Sequence, residues 1–108
     1  MIVYGLPTCS DTTRALKSLR AAGHDATLRD IRADPLTEAE RAALLHEFGD
    51  RLIDRKSVVW RGLSAWIREA EAEEQLVHSP AVMARPVIAD GARMTLGWDE
   101  EVAAIWGA

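Results

Sequence analysis

Ile2-Val3-Tyr4-Gly5-Leu6-Pro7-Thr8-Cys9-Ser10-Asp11-Thr12-Thr13-Arg14 is the stretch on which the rest of the chain depends. Ile2-Val3-Tyr4 is a short apolar run with β-branched residues and predicts a buried strand. Gly5 and Pro7 break it, and a helical pattern opens at Ser10. Cys9 therefore falls on a strand-to-helix turn, at the positive end of a helix. A thiolate there faces unpaired backbone N–H groups and the helix dipole, so its pKa is expected below the roughly 8.5 of a free thiol. A lone cysteine more often serves as a small buried hydrophobe. Here Pro7-Thr8 before it and Ser10-Asp11-Thr12 after it describe a loop and a helix start, which favours a reactive sulfur.

The chain has 108 residues, enough for one domain with a single core, and the whole of 1–108 is expected to form it. An apolar share of 48% and a charged share of 28% are those of an ordinary globular protein. A formal charge of −4 argues against a nucleic-acid or acidic-membrane binder. The single cysteine forms no internal disulfide and excludes a four-thiolate metal site. His24, His46 and His78 lack any ligand spacing and read as surface or loop residues, so no bound metal or cofactor is expected. No apolar stretch approaches the roughly 18 residues of a membrane span, and no charged-then-apolar leader opens the chain. A reducing cytoplasm is the expected compartment. There a lone reactive thiol is resolved by another molecule, such as glutathione, rather than by a partner cysteine.

Beyond Ser10, Ala15, Leu16, Leu19 and Ala22 recur at helical spacing, and Gly23 marks the C-cap. Ala26-Thr27-Leu28-Arg29 reads as a second strand. Thr37-Glu38-Ala39-Glu40 has the form of a capping box, followed by the stripe Leu44, Leu45, Phe48 and a stop at Gly49. Arg55, Lys56 and Arg61 surround Val58-Val59-Trp60. Leu63, Trp66, Ile67 and Ala70 predict an amphipathic helix with Glu69, Glu71, Glu73 and Glu74 on its outer side. Ser79-Pro80 predicts the start of a short helix over Ala81-Val82-Met83. Arg85-Pro86-Val87-Ile88-Ala89 and Arg93-Met94-Thr95-Leu96 read as two strands around the turn signal Asp90-Gly91. Asp99 caps a last helix whose inner face is Val102, Ile105 and Trp106.

This order predicts an α/β fold: a four-stranded mixed sheet with flanking helices and a helical insertion, Thr37 to Met83, between strands 2 and 3. The first two strands should be parallel across a helical crossover, and the late hairpin adds an antiparallel pair. The expected core is Ile2, Tyr4, Leu16, Leu19, Leu28, Leu45, Phe48, Ile67, Val87, Ile88, Leu96, Val102 and Ile105. Trp66 and Trp106 sit on helical stripes and belong with it. Trp98, after the hairpin, is the tryptophan with a candidate substrate-side role.

Four pieces in this order resemble the thioredoxin-like arsenate reductase/Spx/YffB family over essentially the whole chain. They are Val3-Tyr4-Gly5-Leu6-Pro7-Thr8-Cys9, the basic pair Arg55-Lys56, Met83-Ala84-Arg85-Pro86-Val87-Ile88, and Gly97-Trp98-Asp99-Glu100. The resemblance implies a thioredoxin-like fold with Cys9 as nucleophile. It implies that Arg55 and Arg85 flank the thiol, and that Pro86 is a cis-proline facing it. Arginine suits that place because its planar fork stays charged and lowers a neighbouring thiol pKa. Three departures stand out. Leu96-Gly97-Trp98 lacks the third arginine of the arsenate-reducing branch, Cys9-Ser10-Asp11-Thr12 differs from that branch's small oxyanion loop, and Thr12 removes the Cys-x-x-Cys switch of many Spx regulators.

Three functions remain open at this point. The first is a glutathione-linked thiol oxidoreductase, in which Cys9 attacks a disulfide, Arg55, Arg85 and Pro86 hold the substrate, and Thr8 and Ser10 bond the thiolate. Glutathione is then the co-substrate, glutaredoxin a candidate partner, and a monomer the expected state. The second is a glutaredoxin-coupled arsenate reductase. The third is a non-catalytic adaptor that binds a protein such as RNA polymerase through the Arg55–Trp60 segment, where a tryptophan beside cations is a common interface anchor.

Overall fold

The apolar run after Met1 forms strand β1 (Ile2–Gly5), and it lies inside the sheet rather than at its edge. In a computed structural model that describes residues 1–108, β1 is followed by helix α1 (Ser10–Ala21), β2 (Thr27–Asp30) and α2 (Glu38–Phe48). Three short helices come next, α3 (Val58–Arg61), α4 (Ala65–Arg68) and α5 (Ala72–His78). The hairpin β3 (Val87–Asp90) and β4 (Arg93–Leu96) leads to α6 (Glu100–Trp106). Single 3-10 turns occupy Gly49–Leu52 and Pro80–Val82. The strand order is β2-β1-β3-β4, with β1 and β2 parallel and both other pairings antiparallel. This is the mixed sheet expected from the sequence.

The chain divides into two compact units, residues 1–34 with 85–108, and residues 35–84. The first contains the whole sheet. Val3 and Ile88, paired across β1 and β3, pack with Ala15, Leu16 and Leu19 of α1 and Val102 and Trp106 of α6. Each buried aliphatic side chain of this kind contributes about 1.5–3 kcal/mol. Trp106 is buried because its indole N–H donates to Thr95 Oγ1 at 2.8 Å. The open carbonyls at the end of α6 meet a His24 ring nitrogen, 2.6 Å from Trp106 O, and the Arg93 guanidinium, which donates to Ile105 O at 2.8 Å. At the end of α1, Gly23 has φ +93 and donates to Arg20 O, while His24 N–H reaches Leu19 O, the paired bonds of a Schellman stop.

Several core expectations need correction. Ile2 is exposed: period 2 turns it away from the face on which Val3 packs, and Tyr4, two residues on, is the buried one on that side. Ile105 is exposed as well, because the inner line of α6 is the i, i+4 pair Val102 and Trp106. Leu28, Leu45 and Leu96 are only half-buried. The hairpin turn is shifted by one residue: Asp90 pairs with Arg93, so Gly91-Ala92 is the two-residue loop, with the positive φ at its first position that a II′ turn requires.

In the second unit, Thr37 caps α2 reciprocally with Glu40, and Gly49 ends it at φ +56. The helix expected over 63–70 is a single turn. Ser64 precedes it, Glu69 ends it, and only Ile67 of the stripe faces inward within the turn; Trp66 is 70% exposed, not core. The stop is made by Gln75 of α5. Its buried amide nitrogen shares its two hydrogens among the carbonyls of Ile67, Arg68 and Ala70 at 3.0–3.1 Å, so those oxygens find a donor without a further helical turn. The acidic residues Glu73 and Glu74 consequently open α5, where negative charge complements the helix dipole. No helix is long and apolar enough to cross a membrane.

Candidate active site

Register decides what gathers at one end of the sheet. Tyr4 pairs with Val87 in the antiparallel neighbour, and Val87 with Leu96 in the next. The segments that leave β1, enter β3 and leave β4 therefore emerge together. They carry Cys9, Arg85-Pro86 and Gly97-Trp98 respectively. The Arg85-Pro86 peptide is cis, Pro86 is buried, and its carbonyl accepts from Gly97 N–H at 2.8 Å, which joins two of the three segments directly.

The cysteine loop is built by local rules. Cys9 N–H donates to Leu6 O at 3.0 Å and closes a β-turn with Pro7 at its second position, where the ring presets φ. Cys9 O then accepts from Thr13 N–H at 3.1 Å, the first bond of α1, which makes Cys9 the N-cap with φ −86 and ψ 119. Asp11 in the first turn places a negative charge at the positive end of the helix. Arg14, one turn later, pairs with Asp11.

Thr12 connects the strand to this loop. It is fully buried, its hydroxyl accepts a long contact from Leu6 N–H at 3.5 Å, and its side chain lies where a Cβ on Gly5 would be. Gly5 is needed for that close approach. Gly5→Ala is expected to lower unfolding stability by about 1–3 kcal/mol, because the added methyl displaces Thr12. Urea unfolding checks it, and the double variant with Thr12→Ser should recover part of the loss.

The Cys9 sulfur is half-buried, and that burial by itself pushes the thiol pKa up. The Thr12 hydroxyl and N–H, then the hydrogen bond and charge of Arg85, outweigh it and hold the thiol below its ordinary range. Hydrogen bonds and positive charge of this kind favour the charged form of the sulfur over the neutral one. The structure thus brings Cys9, Arg85 and Pro86 to one sheet end. Thr8 and Ser10 are exposed, and the donors facing the sulfur belong to Thr12 and Arg85, not to them. Arg55 belongs to the second unit, where it lies 3.7 Å from the Asp50 carboxylate and 5.3 Å from the Trp60 ring centre. Thr12 was missed as a site residue. Its signal was the strand glycine Gly5 combined with a hydroxyl three residues after the N-cap. No group of three or more His, Cys, Asp or Glu side chains is placed to hold a metal ion.

A protein-family model described as the ArsC family matches residues 4–105. The chain belongs to the ArsC family. At that level it is an arsenate-reductase-like thiol oxidoreductase. This ArsC-family chain is 29% identical over 109 residues to an uncharacterized protein of Haemophilus influenzae, covering 92% of this chain and 91% of that one. Its fold is that of a YffB protein, with a TM-score of 0.89 at 20% identity over 99% and 98% of the two chains. It is also that of an arsenate reductase (ArsC) related protein from Brucella melitensis, with a TM-score of 0.75 at 21% identity over 99% and 94%. The thioredoxin-like architecture expected from the sequence is therefore the one observed.

Proposed function

We propose that this ArsC-family protein is a glutathione-linked thiol oxidoreductase with Cys9 as its single nucleophile. The observation that carries the reading is the Cys9 sulfur at the head of α1, at the sheet end it shares with Arg85-Pro86, with its pKa held down by Thr12 and Arg85. In the first step the thiolate attacks one sulfur of a disulfide: the Cys9–S bond forms, the substrate S–S bond breaks, and the leaving sulfur departs with the electron pair as a thiolate. In the second step a glutathione thiolate attacks the substrate sulfur of the mixed disulfide: a new S–S bond joins glutathione to that sulfur, the Cys9–S bond breaks, and Cys9 leaves as thiolate. The new disulfide, oxidised glutathione where the bound half is glutathione, departs. The second thiol supplies the reducing equivalents, so no bound cofactor is required. Arg85 and Pro86 border the entering substrate, and Thr8 and Ser10, exposed on either side of Cys9, are assigned to its peptide groups. The chemistry calls for a reducing compartment such as the cytoplasm, with glutaredoxin as a candidate partner.

The test is intact-mass measurement after incubation with oxidised glutathione. One glutathione per chain, removed by added glutathione, is the expected result; no adduct overturns the reading. Family membership favours arsenate reduction as the second reading. In that case arsenate drives NADPH consumption when glutathione, glutaredoxin and glutathione reductase are supplied. Absence of arsenate-dependent NADPH consumption in that coupled assay excludes it.

A further inference from the structure

We propose that the Cys9 loop also reduces hydroperoxides, with the Cys9 thiolate as the attacking group and Thr12 and Arg85 as the donors that meet the departing oxygen. All three residues lie in the first unit. Thr12 is built in deeply. It is fully buried, its side chain fills the space a Gly5 Cβ would need, and its Oγ1 accepts a long contact from Leu6 N–H at 3.5 Å. A hydroxyl has one proton, and an oxygen that accepts from the strand keeps that proton for a further acceptor. The acceptor is the Cys9 sulfur, which the Thr12 N–H and the Arg85 guanidinium also meet.

Three donors at one sulfur exceed what disulfide exchange uses. The sulfur that leaves a disulfide is a thiolate, whose conjugate acid has a pKa of about 8.5, so it departs with little help. Donors held on the attacking sulfur even slow that reaction, because nucleophilicity falls with pKa. The oxygen that leaves a hydroperoxide is far poorer at leaving, since its conjugate acid is an alcohol or water, with a pKa of about 15.7 for bulk water. Negative charge builds on that oxygen beside the attacked sulfur, and donors fixed there in advance lower the barrier most. The planar guanidinium of Arg85 suits two adjacent oxygens, as it suits a carboxylate. One guanidinium balances one thiolate at the site, and Asp11 is paired with Arg14, so a neutral substrate enters without charge repulsion.

Atoms and electrons balance as follows. The thiolate attacks the protonated oxygen of the hydroperoxide: an S–O bond forms, the O–O bond breaks, and the far oxygen leaves with the electron pair. That oxygen takes up the proton the thiol had released and departs as an alcohol or water. Cys9 is oxidised to a sulfenic acid and the peroxide is reduced. The chain has no second cysteine, so an external thiol resolves the sulfenic acid. One glutathione condenses with it, an S–S bond forming as water leaves, and a second releases Cys9 as in the exchange proposed above. Two glutathiones become one oxidised glutathione per hydroperoxide. Only this resolution rests on the thiol-exchange reading; the attack on the peroxide does not.

That separation gives the experiment. The reduced protein is mixed with hydrogen peroxide or tert-butyl hydroperoxide, and the sulfenic acid is trapped with dimedone and read by intact mass. Per ionised thiol, Cys9 should react about 10- to 100-fold faster than glutathione, the worth of one donor to a developing charge. Above the variant's thiol pKa, Thr12→Val should lose most of that gain, while its rate with a neutral aromatic disulfide holds or rises. Thr12→Ser keeps the hydroxyl and should restore the peroxide rate. A wild-type peroxide rate no faster than that of glutathione per thiolate overturns the activity, and this comparison stands even where Thr12→Val does not fold. Equal loss of both rates in Thr12→Val overturns it too, since Thr12 then only shapes the loop. Disulfide exchange with an unaccelerated peroxide rate sinks the peroxide activity alone. Fast sulfenic acid formation without any disulfide exchange upholds it and sinks the thiol-exchange reading.

Discussion

Replacing Cys9 by serine is expected to reduce mixed-disulfide formation with oxidised glutathione to the buffer level. Cys9 is the only sulfur nucleophile of the chain, so intact mass reads a single site. A serine hydroxyl is a poor nucleophile without a base beside it, and the donors around position 9 supply positive charge instead. The same variant tests the electrostatics through stability. The native thiol titrates below its unfolded value, so the folded state binds the proton more weakly than the unfolded one. Stability from ionisation is therefore absent below the native pKa, grows as pH rises through it, and is complete above about 8.5, where the unfolded thiol has also ionised. The wild type should gain on Cys9→Ser across that window and then hold constant. An advantage that shrinks as pH rises over the same range contradicts the arrangement described here.

The sheet was legible because each of its signals is local. β-branched runs, a crossover helix with a glycine stop, and a hairpin with a glycine loop restrict the strand order to few arrangements. The capping box at Thr37 and the Asp99 cap were legible for the same reason: a side-chain oxygen three residues before the N–H that donates to it needs no tertiary partner. The 63–70 segment failed where a distant residue intervened. Leu63, Trp66, Ile67 and Ala70 satisfy helical spacing, yet Gln75 takes the carbonyls that would have propagated the helix. Nothing within those eight positions encodes that bond. Ile2 and Ile105 failed differently, because hydrophobicity alone does not say where a covered face ends.

At the site, Cys9 was legible from its place between a strand and a helix, and Pro86 and Arg85 from a resemblance rather than from pattern. Thr12 was not read as a partner of the sulfur. Its part depends on the fold of the loop back over Gly5, which makes one hydroxyl the neighbour of both Leu6 N–H and the thiol. Thr8 and Ser10, the hydroxyl residues adjacent in sequence, are exposed instead. At an N-cap the third residue of the helix, rather than the next one, returns its N–H to the cap side chain. That rule points to the Thr12 N–H from sequence, while the hydroxyl's part needs the fold.

Arg85→Ala is expected to slow exchange with oxidised glutathione by about 10- to 100-fold at neutral pH, the range that one hydrogen bond to a charged group is worth. Two effects contribute, loss of the cation that stabilises the Cys9 thiolate and loss of a contact to the anionic substrate. A neutral aromatic disulfide separates them, since it retains only the first. With that probe the rate–pH profile of the variant should move to higher pH. Above the raised pKa the variant should match or exceed the wild type, because a more basic thiolate is the stronger nucleophile once both are ionised. Arg85→Lys keeps the charge but loses the planar fork, so it should restore most of the pH profile and little of the preference for the charged disulfide. A variant slow at every pH would mean that Arg85 acts by positioning the loop before β3. A variant unchanged at neutral pH would leave the Thr12 donors as the main stabilisers of the charged sulfur.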